Sequence, residues 1–442
     1  MMNSLRRYLG VLILNGFWFL APGAWADDTD TFSPQEFSLH FQATLLPDYH
    51  GSFPAQYSGP FSLKNTPELN TSFTTTLFAG WNPWAGGFLY ADPEVSAGSG
   101  FSGVDGLADL PNGEISKVGS PDPTPNLARI YVQQVFGFGG DRENIDDDEN
   151  QVAARQDISR LTMTLGKFSL NDFFDNNAYA HDARTQFINL GLVDNLAWDY
   201  AADTHGYTWG AMAELNQKDW ALRFCSAMVS TAANGPLYDA DLSQARADNA
   251  ELEWRYNLDS HPGLVRFLAY INHARMGSYA DALASGVTPP VITQSAADRE
   301  KVGFGLNFEQ ELAANLGGFL RLGWNDGQTE SFELTAVDET ASLGAVLKNP
   351  FAGRTDDQVG LGLVISGLSS VHEAYLAAGG TDFLLGDGAL DYGPEQVAEL
   401  YYLLKVNQPL ALTLDLQGVN NPAYNQARGP VGIVSGRIHV EL

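Results

Sequence analysis

Charged residues recur at every second position in several short runs of this sequence, so that they share one face of an extended chain. In Asn249–Leu258, for example, Glu251, Glu253 and Arg255 alternate with apolar residues. Opposite charges on one strand face could set up an electric field across an aqueous space and exchange hydrogen bonds with a polar solute. The alternative is that such pairs only neutralise a solvated face.

The segment Asn171–Asp203 is dense in acids and amides and shows no clean alternation. One interpretation is that it folds inward and narrows a passage, with Arg184 and neighbouring acids forming the constriction. The other is a hydrated external loop, in which Asn and Asp occupy turn positions. The sequence leaves both interpretations open.

Catalytic and metal-binding motifs are missing from the sequence. No G-x-S-x-G, P-loop, zincin or H-x-x-x-H pattern occurs. The acidic run Asp146–Glu149 lacks the spacing and the glycine of an EF-hand loop. Carboxylates are abundant, but nothing singles out the two that a glycosidase needs. We therefore predict no enzymatic activity, no cofactor and no metal, with an exported β-rich enzyme acting on polysaccharide as a remaining alternative.

The overall composition narrows the possible partners. The chain has 442 residues, with 24 Lys or Arg against 53 Asp or Glu, for a formal net charge of −29. Phosphates would be repelled, so we expect no nucleic-acid partner. One cysteine excludes a disulfide framework. With 44% hydrophobic residues the chain can bury a large surface, which argues against disorder.

The first 26 residues have the pattern of a secretory signal peptide. Arg6 and Arg7 precede the apolar run Leu9–Leu20, and Ala24-Trp25-Ala26 forms an A-x-A cleavage site. We predict export, cleavage near Ala26 and a single domain over residues 27–442.

Short alternating runs dominate the rest of the chain. One face is aliphatic or aromatic, the other carries Gly, Ala, Thr or charge, and many runs begin or end near an aromatic residue such as Trp81 or Trp324. An apolar outer band with aromatic girdles and a polar interior is typical of a transmembrane β-barrel, and the length suits about 16 strands. A soluble two-layer β protein would show the same period. The predicted strands are Ser38–Leu46, Ser72–Trp81, Ala128–Phe138, Ile158–Leu165, Gly206–Asn216, Trp220–Met228, Asn249–Leu258, Leu264–His273, Val302–Glu309, Gly318–Asn325, Gln358–Ser366, Gln396–Val406, Leu410–Leu416 and Ser435–Leu442.

A few segments depart from this period. Leu46–Leu69 and Ser96–Asn126 are rich in Pro, Gly and Ser and are predicted to be long loops. Tyr238–Asn249 and Val371–Ala378 have helical composition, so we expect a few short helices.

Several stretches resemble a known family. The most particular are Phe174-Asp175-Asn176-Asn177 and Trp198-Asp199-Tyr200 within the block Gly166–Asn216. With Ser38–Leu63, the run TTTLFAGW and Val419–Pro430, they resemble the carbohydrate-selective porin family (OprB-type) of Gram-negative outer membranes.

The resemblance implies an all-β, transmembrane antiparallel barrel of about 16 strands with long extracellular loops. It also implies passive diffusion of mono- and oligosaccharides through a water-filled, polar-lined lumen. The implied partners are carbohydrates, outer-membrane lipid and lipopolysaccharide, in a monomer or a trimer. A general porin without sugar selectivity is the alternative. One departure is the last residue, Leu442, where such barrels usually end in an aromatic.

Strand parity and the Asn171–Asp203 segment together give the candidate pore-lining and substrate-binding residues. They are Arg129, Asp175, Asn176, Asn177, Asp182, Arg184, Asp199, Arg223, Glu253, Arg255, Glu309 and Arg321.

Overall fold

A computed structural model of the chain describes residues 32–332 and 336–442. The predicted signal peptide lies outside these ranges. Within them the chain forms eighteen β-strands, of which sixteen close into a barrel. The strands are β1 Phe37–His50, β2 Glu68–Trp84, β3 Gly87–Gly98, β4 Thr124–Gly137, β5 Arg142–Ile145, β6 Ala154–Asp157, β7 Arg160–Phe168, β8 Thr208–Asn216, β9 Trp220–Ala227, β10 Arg246–Leu258, β11 His261–Met276, β12 Ala297–Ala313, β13 Leu316–Asn325, β14 Glu339–Lys348, β15 Gln358–Gly367, β16 Glu395–Asn407, β17 Leu410–Asn420 and β18 Val431–Glu441.

Each barrel strand pairs antiparallel with its neighbour along the chain. β4 pairs with β7, because β5 and β6 form a separate two-stranded hairpin. β1 pairs with β18 and closes the ring. At this seam the backbone of Leu442 exchanges two hydrogen bonds of 2.8 and 2.9 Å with Phe41. The non-aromatic last residue therefore completes the ladder through its backbone.

The barrel strands are joined by short turns and by long connections. At one end β2–β3, β10–β11, β12–β13 and β16–β17 are joined by two residues each. At the other end the connections are longer, among them residues 51–67, 99–123, 169–207 and 368–394. In outer-membrane barrels the short turns are periplasmic and the long loops extracellular, which puts both described chain ends on the periplasmic side.

The outer surface is an apolar band between two aromatic girdles. Leu412, Leu414 and Leu416 of β17 point outward, with Leu414 57% exposed. Near the periplasmic ends Phe37 stacks on Trp81 with ring centroids 6.0 Å apart. Near the extracellular ends lie Tyr49, Trp209 and Trp324. This pattern lets the strands contact hydrocarbon while their backbone groups stay paired within the ring.

Each of the fourteen runs predicted from alternation overlaps one barrel strand. The two other strands described in the ring, β3 and β14, were not predicted. β3 contains Pro93, and its register with β4 shifts between Asp92 and Pro93. β14 carries small residues whose contrast between faces is weak. Both features blur the period of two.

Three short α-helices lie in extracellular loops of the described chain: α1 Leu190–Val193, α2 Tyr279–Ala284 and α3 Ser370–Ala377. The helix predicted at Val371–Ala378 is therefore confirmed. The one predicted at Tyr238–Asn249 is wrong, because its last residues begin β10. None of the helices described is long and apolar enough to cross a membrane.

A buried polar cluster ties three extracellular loops together. His372 on α3 lies 2.9 Å from Asp338 and 3.6 Å from Asp382. The ring of Tyr279 from α2 stacks on His372 with centroids 4.1 Å apart. Burial alone would lower the pKa of His372, but the two carboxylates more than offset it and raise the pKa to about 9. The charged imidazole thus holds the loops together.

This cluster predicts a loss of stability at alkaline pH. A raised pKa of His372 stabilises the folded state fully below the unfolded value near 6.5, and this contribution is lost as pH rises through about 9. We expect the free energy of unfolding in guanidinium to contain a decrease of roughly 2–3 kcal/mol between pH 7 and pH 10 that His372→Gln lacks. His261→Gln, which changes a more exposed histidine at the other end of the barrel, should retain it. The same decrease in His372→Gln would contradict this assignment.

Candidate functional site

The extracellular connection of residues 169–207, between β7 and β8, lies inside the barrel. Its side chains Phe187 and Leu192 are fully buried. The ring of Phe187 lies 5.6 Å from that of Phe319 on β13 and 4.9 Å from that of Tyr401 on β16, measured between centroids. An apolar core therefore exists between this loop and part of the inner wall. The segment Asn171–Asp203 folds inward and is not an external loop, while the constriction by Arg184 and neighbouring acids stays a prediction.

Glycines on the inner face of β15 allow this close approach. A Cβ atom at Gly362 would lie 2.6 Å from a methyl carbon of Leu192, and one at Gly360 would lie 2.9 Å from the ring of Phe187. A side chain at either position would force loop side chains to shift, and at Gly360 also the ring of Tyr401, which would lie even closer to the Cβ atom. The two glycines thus let the loop approach the wall without rearrangement.

Carboxylates on the wall bind the backbone amides of the loop. Glu399 accepts from the N–H groups of Ile188 and Asn189 at 2.7 and 2.9 Å. Glu251 of β10 accepts from Asp175 N at 2.8 Å, and Glu309 of β12 accepts from Ala178 N at 2.7 Å. Amides buried inside the barrel thereby find carboxyl oxygens as acceptors.

Guanidinium groups on the wall bind the carbonyl groups of the same loop. Arg321 of β13 is fully buried and donates to the carbonyls of Leu192 at 2.7 Å, Ala180 at 2.5 Å and Asp175 at 3.1 Å. Its Nε also lies 2.9 Å from the carboxylate of Asp175. Arg437 of β18 similarly donates to two loop carbonyls, those of residues 183 and 186.

The connection of residues 99–123 also turns inward and meets the first loop. Asp109 accepts from Gly191 N at 2.9 Å, and Leu190 N donates to the carbonyl of Leu110 at 2.9 Å. Glu395 of β16 accepts from the amide of Asp109 at 2.8 Å. The two loops thus form one unit fixed to the wall.

A cavity of about 760 Å³ remains between this unit and the opposite wall. Its lining comes from strands β2, β3, β4, β7, β8 and β18, from both loops and from the β5–β6 hairpin. Its charged lining is made of Glu114, Lys117, Arg129, Asp148, Glu149, Arg160, Asp172, Asp182, Arg184, Asp194, Glu214 and Glu441.

Two ion pairs between a guanidinium and loop carboxylates stand out in this lining. Arg129 of β4 donates to both oxygens of Asp172 at 2.6 and 2.7 Å. Arg184 donates to Glu114 at 3.0 Å and lies 3.4 Å from Glu94 of β3. The first pair links the wall to loop 169–207, and the second links the two loops to each other and to the wall.

Aromatic rings lie beside these charges. The Tyr207 ring has three cations around it, with Lys117, Arg129 and Lys167 at 5.0, 5.3 and 5.6 Å from its centroid. Its hydroxyl donates to Glu94 at 3.2 Å. Further aromatic residues that line the cavity are Phe78, Phe88, Tyr90, Tyr131 and Phe173.

Two loop carboxylates that line the cavity keep their charges at neutral pH. Burial would raise the pKa of Asp172, but Arg129 and Lys117 outweigh it and hold the pKa below its usual value. Burial would also raise the pKa of Asp182, but the charge of Arg184 outweighs burial and lowers the pKa. The pKa of Lys117 is lowered by burial and by the charge of Arg129. Asp172 and Asp182 are therefore ionised where they face the cavity.

The twelve candidate residues divide into two groups. Arg129, Asn176, Asp182 and Arg184 line the cavity. The other eight lie outside its lining. Asp175, Asn177 and Glu309 join the loop to the wall, Arg321 binds the loop carbonyls, and Asp199 pairs with Lys301. The remaining three, Arg223, Glu253 and Arg255, belong to an ion-pair network with Glu214, Glu251 and Arg266.

Several cavity residues were not among the candidates. Glu114 and Lys117 belong to a loop whose Pro and Gly content gave no sign of an inward turn. Glu94 lies outside the cavity lining but pairs with Arg184, and it belongs to β3, the strand hidden by Pro93. Asp172 lies within the predicted segment, whose density in acids was the available signal for it, and Tyr207 follows that segment.

The sequence and the fold were compared with known proteins. The model of the carbohydrate-selective porin family, OprB, matches residues 49–442. The chain belongs to this family. A search among curated proteins gave no significant match.

Solved structures share the fold at low sequence identity. The high-pH structure of Pseudomonas putida OprB has a TM-score of 0.70 and 15% identity, covering 92% of this chain and 94% of that one. The outer membrane channel DcaP of Acinetobacter baumannii has a TM-score of 0.50 and 8% identity, covering 92% and 97%. The chain is thus a passive porin of the Gram-negative outer membrane from the carbohydrate-selective family, and it is not an enzyme.

Replacing Arg321 should release the inward loop. Arg321→Ala removes hydrogen bonds to three loop carbonyls and leaves Asp175 without its buried partner, so we expect a loss of about 3–5 kcal/mol in the free energy of unfolding. The single-channel conductance should rise and fluctuate, because the loop no longer holds one position.

Arg246→Ala is the matched control, since its ion pair with Asp248 is partly exposed and such pairs contribute less than about 1 kcal/mol. Equal effects of the two substitutions would contradict the role of Arg321.

Proposed function

We propose that carbohydrates diffuse through the cavity between the inward loops and the wall formed by β2, β3, β4, β7 and β8. The observation that carries this proposal is the shared lining: the Arg129–Asp172 and Arg184–Glu114 pairs and several aromatic rings border one cavity of about 760 Å³. The preference for sugars then belongs to the loops and to this side of the barrel.

The lining suits neutral, hydroxylated solutes. Guanidinium and carboxylate groups offer donors and acceptors that can replace part of a sugar's hydration, and aromatic rings such as Phe173 offer an apolar face to the C–H side of a pyranose. Because Arg129 and Arg184 already have anionic partners, an ion gains little by binding either one. A sugar can exchange hydrogen bonds with both members of a pair and still leave, as conduction requires.

The membrane environment follows from the outer surface. The outward rows of Leu, Phe and Trp would contact outer-membrane lipid and lipopolysaccharide, in a monomer or a trimer. We also propose that the exported chain is cleaved after Ala26, so that the mature protein begins at Asp27. N-terminal sequencing of the protein purified from outer membranes tests this site.

Liposome swelling tests the sugar preference. Reconstituted protein should admit mono-, di- and trisaccharides faster than amino acids of matched size, because the paired charges favour neutral hydroxylated solutes. Equal rates at equal size would contradict the proposal and leave a general diffusion pore.

The substitution Arg184→Ala tests whether the preference for sugars arises in the cavity. We expect higher single-channel conductance, weaker block by sugars and a smaller difference between sugars and amino acids. Arg354→Ala, which changes an arginine paired with Asp357 at the β14–β15 turn, should behave like the unmodified protein. Unchanged conductance and sugar block in Arg184→Ala would remove Arg184 from the pathway.

A further inference from the structure

The periplasmic connection between β4 and β7 is far longer than closing the strands requires. It spans residues 138–159, whereas β2–β3 and β10–β11 are joined by two residues each. The connection folds as the β5–β6 hairpin, and its residues Ile145, Asp148, Glu149, Asn150, Gln151, Val152 and Gln156 line the same cavity as the two inward loops. A periplasmic element therefore enters the lumen from the end opposite to the loops.

The hairpin fits into an apolar notch in the wall. Val152 is 1% exposed and packs in the cluster that contains Phe88 and Tyr90 of β3. A Cβ atom at Gly80 of β2 would lie 2.7 Å from a methyl carbon of Val152. The absence of a side chain at Gly80 is thus what makes room for Val152.

Polar contacts fix the tip of the hairpin at two further points on the wall and at the segment that precedes β1. Asn150 donates to Asp92 of β3 at 2.9 Å. His40 of β1 lies 3.3 Å from Asp147. The backbone N–H of Gln35 donates to the carbonyl of Ala153 at 2.9 Å.

The base of the hairpin sets the direction in which it enters. Gly139 and Gly140 have φ values of +82° and +95°, which favour glycine. Arg160 of β7 donates to Glu143 at 2.5 Å, and Gly139 N donates to Asp157 at 2.8 Å. The turn and these contacts aim the hairpin inward.

We propose that the β5–β6 hairpin is a specificity-determining element that sets the largest solute able to leave the pore on the periplasmic side. This inference rests on the proposed function, because it assumes that carbohydrates take the cavity the hairpin borders. It assigns the size limit to the hairpin and leaves the preference for sugars with the Arg129 and Arg184 pairs.

Removing the hairpin tests the inference. A variant in which an Asn-Gly turn replaces residues 139–158 should conduct roughly twofold or more above the unmodified protein, since the lumen widens. In liposome swelling, trisaccharide rates should increase several-fold more than monosaccharide rates. Heat-modifiable migration in gels would establish that the variant folds.

A milder variant keeps every residue of the hairpin. Gly80→Val places a side chain where Val152 lies and should displace the hairpin, shifting the size limit in the same direction. Gly418→Val is the matched control, because nothing lies within 4 Å of a Cβ atom at that outward-facing glycine of β17.

The outcomes separate the two proposals. A raised size limit in Gly80→Val but not in Gly418→Val supports the inference, whether or not the deletion variant folds. An unchanged limit in Gly80→Val, with monosaccharides still passing faster than amino acids of matched size, overturns the role of the hairpin alone. If the unmodified protein shows no preference for sugars, the proposed function fails, while a shifted size limit would still assign the filter to the hairpin.

Discussion

The structure depends on one constraint: a loop that enters a barrel must find partners for its backbone amides and carbonyls away from bulk water. Helices would satisfy these groups internally, but the helical part of loop 169–207 is limited to the 3-10 helix Leu170–Asp172 and the α-helix Leu190–Val193. The wall supplies the partners instead. Glu251, Glu309 and Glu399 accept from loop amides, and Arg321 and Arg437 donate to loop carbonyls. The bonds donated by the two guanidinium groups are charge-assisted and stronger than those between neutral groups.

This constraint makes the lumen asymmetric. The loop packs its apolar residues on one part of the inner wall, where Phe319, Val364, Val397 and Tyr401 are buried with Phe187. The remaining space is on the side of β2, β3, β4, β7 and β8, where charged and aromatic side chains stay in contact with the cavity. Most lumen charges therefore hold the loops in place, and a smaller set remains for solutes.

The barrel architecture could be predicted from the sequence because membrane strands alternate between residues that face lipid and residues that face the lumen. Alternation between lipid and lumen fixes the face of each residue, so fourteen runs and the closed ring could be predicted before the structure was known. β3 was not predicted because Pro93 and a register shift interrupt its pattern. The sequence also marks the part of the wall against which the loop packs, because Gly360 and Gly362 alternate on the inner face of β15. These glycines can be interpreted only once the position of the inward loop is known.

The candidate site could be predicted only in part, for a physical reason. Arg129 and Arg321 both face the lumen, and parity treats them alike. One borders the cavity and the other is covered by loop 169–207. Whether an inward-facing residue borders the cavity or is covered depends on the path of the loop. That path is set by contacts with strands more than a hundred residues away in the sequence, such as the hydrogen bond from Arg321 to Leu192. No local pattern encodes it.

The central claim is that solutes pass beside loop 169–207 through the cavity it borders, and one measurement tests it directly. Thr185 lies on the cavity side of this loop, and Cys225, the single cysteine of the sequence, is buried. In a Cys225→Ser background, Thr185→Cys would be labelled with a trimethylammonium methanethiosulfonate while single-channel current is recorded, and labelling would be verified by mass. The account predicts a stepwise fall in conductance as each channel reacts. Full labelling with an unchanged current would mean that the solute pathway lies elsewhere.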